Sequence, residues 1–424
     1  MRRALAFSLL LMCSPLCAQE IPAPTELMGE PFFVKQKWLI EAENHQDYLR
    51  EDRLEGLTFD AKAGRLFVAH GPRVEVVNVE TGVLEGKITG LREAQSIVLD
   101  AAGQYGYISD SGGDTVAVFD RSTLQVVDQI PACLGARSLA LEGQTGLLFA
   151  VCGVGGGSQP NATGAASSRS RSAAPRNRPE DQSQPVSLIA VMDTENRKAR
   201  ALQPVAGKLG CAQADDNGSV YIAFEDRSGL LQINAAAMRE FLRRSENRDG
   251  PLKFRPESMG RSSGPNATNP AAPSLPNGVL GYVRLGSQCD HPRALAIDPD
   301  RVRVFTACEN ATLLVTNTGT GALVDALPIG PGTDSVGYDP VHRLIFAANG
   351  GGAGSLTIID QHVTESYHVA QNVPTLQTAR NLALDPQTET VYLAVPFMGV
   401  KPEHMPARGK ADYAGNFEVL AVAR

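Results

Sequence analysis

Tryptophan occurs once in 424 residues and histidine seven times. No Cys-x-x-Cys-His run is present, which argues against covalent haem, and there is no His-Glu-x-x-His zinc motif and no phosphate-binding glycine loop. Basic charge is in deficit: 39 Lys and Arg stand against 46 Asp and Glu, for a formal charge of −7. A mildly acidic chain without a basic stripe is a poor nucleic-acid binder, and no nucleic-acid partner is expected. Long apolar runs are missing too. Ala4 to Met12 is too short to cross a bilayer, and no later segment does better, so no membrane span is expected. That run follows Arg2 and Arg3 and precedes Leu16-Cys17-Ala18, the pattern of a cleaved signal peptide over 1–18. Setting aside the two arginines takes the charge to −9. The expected product is secreted or periplasmic, with a linker over 19–33.

What the chain does have is glycine (41), proline (27) and a repeat. A short strand ending in an acid recurs seven times, at Asp60, Asp100, Glu142, Asp215, Asp298, Asp339 and Asp385. The spacings are 40, 42, 73, 83, 41 and 46 residues, which suits one four-stranded blade per repeat with two long insertions. Pro or Gly often follows the acid, so the acid reads as a hairpin device whose side chain bonds its own turn. A ring of metal ligands is the weaker reading, and no metal is expected. A second strand follows with an aromatic in second place every time: Phe67, Tyr107, Phe149, Tyr221, Phe305, Phe346 and Tyr392. These are candidate fillers between blades.

Apolar-aromatic-apolar-Ala-polar, then a Val-rich strand ending in Asp or Asn, resembles the YVTN-repeat propellers, of which the YncE-like proteins are one group. The resemblance covers roughly 34–424 and implies an all-β, seven-bladed β-propeller. The blades fall near 54–94, 95–136, 137–209, 210–291, 292–333, 334–379 and 380–424. The last lacks a fourth strand, and the strand-like run 34–41 would supply it and close the ring. The insertions are 153–185, expected to be disordered, and 239–278, near a short helix expected over Asn234 to Arg244. Both are net basic.

Propeller strand order puts the interblade connections and the loops between second and third strands on one face, here called the top. The residue before each first strand then rings the channel mouth: Glu55, Gln95, Arg137, Gly210, Arg293, Asp334 and Arg380. The last residues of the second strands form a neighbouring ring that includes His70, Asp110 and Asn349. Arg137, Arg293 and Arg380 would suit an anionic ligand, since guanidinium matches carboxylate geometry; equally, they would tie adjacent blades. Five cysteines remain in the mature chain. Cys133 and Cys152 are nineteen apart, as are Cys289 and Cys308, and each pair falls on the top of one blade. Two intrablade disulfides are expected, with Cys211 left as a free thiol.

Two functions compete. One is a non-catalytic scaffold, expected to be a monomer without a cofactor, that binds a protein or a small anionic ligand. The other follows the fold likeness to propeller lactonases. In it the arginines hold an anionic lactone while Glu55, Asp334 or His291 activates water.

Overall fold

The computed structural model describes residues 30–41, 54–153, 185–249, 278–363, 366–397 and 416–424. The leader 1–18, most of both insertions and residues 398–415 of blade seven lie outside them.

Alternating and continuous apolar runs sort the strands by depth. Second and third strands such as Leu147–Cys152 and Thr115–Asp120 are buried along nearly their whole length, as their unbroken apolar sequences require. Fourth strands such as Val126–Pro131 alternate exposed and buried residues, as an outer strand with one wet face should. The strands assemble into seven four-stranded antiparallel sheets. The first strands are Leu54–Asp60, Ala94–Leu99, Ala136–Glu142, Leu209–Ala214, Pro292–Asp298, Thr333–Asp339 and Leu382–Asp385. They touch one another in cyclic order, the seventh returning to the first. This is a seven-bladed β-propeller.

The ring closes through the N-terminal strand Phe33–Ile40. It pairs antiparallel with Phe417–Ala423 as the outermost strand of blade seven. Gln371, in blade six, accepts from the Phe32 amide at 2.9 Å and donates to its carbonyl at 2.7 Å, pinning the entry to that strand. Seven buried apolar clusters hold the blades together, one at each interface between neighbours. The repeat aromatics sit in them at 0 to 5 % exposure.

The seven acids are hairpin caps. Asp100 accepts the amides of Gly103 and Tyr105 at 2.7 and 3.0 Å, and Asp339 those of Val341 and His342 at 2.8 and 3.1 Å. Several also reach a neighbouring blade. Asp60 meets Arg121 at 2.5 Å, and Asp298 accepts from the Tyr338 hydroxyl at 2.9 Å. The Asp or Asn ending the third strand works alike in the next turn in blades one, two, three and five, at Asn78, Asp120, Asp193 and Asn317. In blade four the same position caps a helix instead. Asn234 accepts the Ala237 amide at 2.8 Å, and the helix runs Ala235–Asp249, longer than the sequence suggested. Its buried stripe, Ala235, Met238 and Leu242, packs on the interface of blades three and four.

Candidate functional site: the channel mouth

Each first strand of blades one to six carries one extra residue near its start. The register breaks between Leu54 and Leu57, Ala94 and Ile97, Ala136 and Ser138, Leu209 and Ala212, Pro292 and Ala294, and Thr333 and Ser335. A bulge re-aims a side chain out of the pleat. Glu55, Gln95, Arg137, Gly210, Arg293 and Asp334 all fall in these bulges, and none of them is buried. Polar bonds between neighbouring inner strands hold this layer. The Ser96 hydroxyl accepts the Leu139 amide at 3.3 Å, the Ser138 hydroxyl accepts the Ala212 amide at 2.9 Å, and Asn381 donates to the Leu54 carbonyl at 2.8 Å. Cys211, free and half-buried, stands where Ser96 and Ser138 stand. Burial pushes its thiol up to about 11 against the opposing Leu295 backbone hydrogen bond, with Glu225 and Asp334 adding to the rise. It is therefore a protonated thiol, not a nucleophile.

Sequence reasoning missed Glu225. Gly210 leaves blade four without a ring side chain, and the Glu225 carboxylate fills the space: a Cβ on Gly210 would lie 2.5 Å from its Oε1. The signal was a ring glycine paired with an acid just beyond the second strand. Glu225 meets Lys208 at 2.6 Å and Arg293 at 3.5 Å. Arg293 also lies 3.9 Å from Glu309, which is 3.7 Å from His291. Arg380 meets Asp334 at 3.2 Å. Around the ring the charges thus run Glu55, neutral Gln95, Arg137, Glu225, Arg293, Asp334, Arg380. Signs alternate, and since seven is odd the alternation must break once, which it does at Gln95.

Two of the three arginines therefore bridge adjacent blades. Among the described residues Arg137 has no acid partner, and Glu55 no basic one. Of the lactonase-type bases, Asp334 is committed to Arg380. His291 is exposed on its loop, 2.9 Å from Asp290. Among the described residues, no three His, Cys, Asp or Glu side chains gather to hold a metal.

The residues ending the second strands do not line the mouth. They are buried, and three of them, Asp110, Cys152 and Cys308, fasten the interblade connection beside them. Asp110 (2 % exposed) accepts the amides of Arg92, Glu93 and Gly113 at 3.0, 2.7 and 3.2 Å. Asn349 accepts from Thr333 at 2.6 Å and donates to Ser355 and Thr357 at 3.0 and 2.9 Å. Cys152 and Cys308 form disulfides to Cys133 and Cys289, with Cα separations of 5.7 and 5.3 Å. His70 is buried beside Arg73 and Glu75, its ring edge-on to Phe417. Burial first, and Arg73 second, push its pKa down to about 4. A cavity of about 400 Å³ lies away from the mouth, at the closure seam, lined by Lys35, Glu389, Tyr392 and Arg424 among others. Within it Glu389 is already paired, 2.8 Å from Arg424 and 2.9 Å from His342.

No protein-family model matches the chain, and no curated protein matches it. Solved structures do. A chain of "Crystal Structure of Mitotic Checkpoint Complex" aligns over 100% of this chain and 99% of its own, at 13% identity and a TM-score of 0.56. "Structure of U3-55K" aligns over 92% and 99%, at 9% identity and a TM-score of 0.56. At such identities the likeness speaks for the propeller fold alone. No helix of the described residues is long and apolar enough to cross a membrane.

Proposed function

We propose that this protein is an extracytoplasmic YVTN-type propeller acting as a binding scaffold, with the channel mouth as its recognition face. The observation that carries the reading is the commitment of the ring charges. Arg293 and Arg380 are held across blade boundaries by Glu225 and Asp334, so two of the three arginines and one of the three candidate bases serve as ties between blades. Two disulfides and the pinned interblade connections stiffen it further, and preorganised loops lower the entropy cost of recognition. The leader-like N-terminus and the disulfides support a location outside the cytoplasm.

The test is a photo-crosslinking amino acid placed at Arg92 on the mouth and, in a second variant, at Lys62 on the opposite face, in the native host. A defined adduct from the mouth variant alone supports the reading. The competing hydrolase is assayed alongside with a panel of anionic lactones. Turnover that disappears in Glu55→Gln overturns the scaffold in favour of catalysis.

A further inference from the structure

The break in the charge ring is itself a site. We propose that the sector Glu55–Gln95–Arg137 binds a small zwitterion, its carboxylate on Arg137 and its protonated amine on Glu55. The inference rests on the mouth being the recognition face and names the ligand class of that face.

Three observations carry it. First, the two ring charges without an opposite partner among the described residues stand on either side of the one neutral ring position. The remaining charged positions are compensated, by Glu225 with Lys208 and Arg293 and by Asp334 with Arg380. An anion alone would satisfy Arg137 and leave Glu55 repelling it; an amine alone would do the reverse. A molecule carrying both charges satisfies both and leaves the ring's net charge unchanged.

Second, the backbone under each charge is fixed while the side chain has no opposite charge beside it among the described residues. The Arg137 carbonyl accepts from the Ser109 hydroxyl at 3.2 Å. The turn leading to it is held by the Cys133–Cys152 disulfide and by the Gly135 amide donating to Asp114 at 2.8 Å. Asn381 holds the Leu54 carbonyl beside Glu55, and Asp110 holds the connection before Gln95. Ordering entropy is thus spent in folding and not in binding.

Third, the backbones of blades one and two come close at this sector. A Cβ on Gly56 would lie 2.2 Å from the Gln95 carbonyl oxygen, so only glycine admits the contact. The strand that carries Glu55 is thus packed against the backbone of Gln95, whose ring position lies between those of Glu55 and Arg137. The flanking charges are otherwise engaged: Glu93 accepts from the Gln95 amide at 3.3 Å, and Arg92 donates to the Gly112 carbonyl at 3.4 Å.

The experiment is isothermal titration of the full chain at neutral pH and low salt. Glycine, 4-aminobutanoate and 6-aminohexanoate serve as zwitterions of increasing length, with butanoate and butylammonium as controls. One length should bind about tenfold or more tighter than either control. Glu55→Arg and Arg137→Glu should each weaken it by about tenfold or more, and the double variant should recover affinity to within about threefold, because the ligand turns end for end. Glu55→Gln and Arg137→Met, which introduce no repulsion, serve if a reversal perturbs folding, and each should also lose about tenfold. Butanoate binding as tightly as the zwitterions, a natively folded double variant without recovery, or no binding up to about 10 mM overturns the proposal. If zwitterions fail while the mouth still crosslinks a partner, the ligand class falls and the recognition face stands. If both fail, both fall.

Discussion

The two faces of this propeller treat the same repeat differently. On the face of the first hairpins, seven acids do one job in seven blades. At the mouth, seven equivalent positions hold Glu, Gln, Arg, Gly, Arg, Asp and Arg. A position whose side chain must cap its own turn has one solution, because the amides it serves are fixed in number and place. A position in a bulge at an open mouth answers to its neighbours in the ring, so its identity varies with blade number. Uniformity marks a local duty, and variation marks a duty that exists only between blades.

The largest expected contrast comes from removing one member of each set. Asp339 is fully buried, caps two amides and lies 2.7 Å from the His342 ring. Asp339→Ala should cost about 3 kcal/mol in urea unfolding, since it removes two turn hydrogen bonds to a charged acceptor and the contact with His342. A loss below about 1 kcal/mol would put the cap on a par with a surface pair and end the contrast.

Replacing Cys133 and Cys152 together by Ser should cost about 3 kcal/mol, the loop-closure contribution of a short span. Chemical unfolding of the double variant against the parent measures it. Removal of Cys289 and Cys308 should match, because both pairs span 19 residues.

His70 makes a pH-dependent prediction. Its folded pKa lies near 4, below the ordinary value of 6.5. The unfolded chain therefore takes up the proton first. The stability given by the neutral ring is present above pH 6.5 and is lost as pH falls toward 4, to a total of about 3 kcal/mol. Unfolding curves at pH 7 and 4.5 should show this loss in the parent and a shallower one in His70→Gln. Equal slopes would mean that the imidazole does not drive the pH dependence.

The smallest effects belong to the mouth. The Arg380–Asp334 pair is about two-fifths exposed on each side, so a double-mutant cycle should give a coupling of at most about 1 kcal/mol that shrinks with salt. Arg137→Ala should stay within about 0.5 kcal/mol of the parent. A large loss at Arg137 would make it a blade tie after all.

Much of the fold was legible because it is written in local chemistry. The recurring acid and its turn marked the first hairpin of each blade, and the aromatic in second place marked the blade interfaces. The missing fourth strand of blade seven pointed to the N-terminal run, and the nineteen-residue spacing to both disulfides. The mouth was legible only as a set of positions. His70, Asp110 and Asn349 looked like its second ring because strand ends lie on the top face. In the folded chain all three are buried: Asp110 holds the interblade connection, Asn349 bonds Thr333, Ser355 and Thr357, and His70 packs edge-on to Phe417.

Sequence alone therefore determined the blades and their number, since each hairpin is specified by nearby residues, and the seam through the count of strands, one missing at the C-terminus and one spare at the N-terminus. Only the tertiary structure decided which charges meet. The bulges that aim the ring, Glu225 in the space left by Gly210, and the break at Gln95 depend on distances between residues tens to hundreds of positions apart. Those distances come into being only when seven blades close around a common axis.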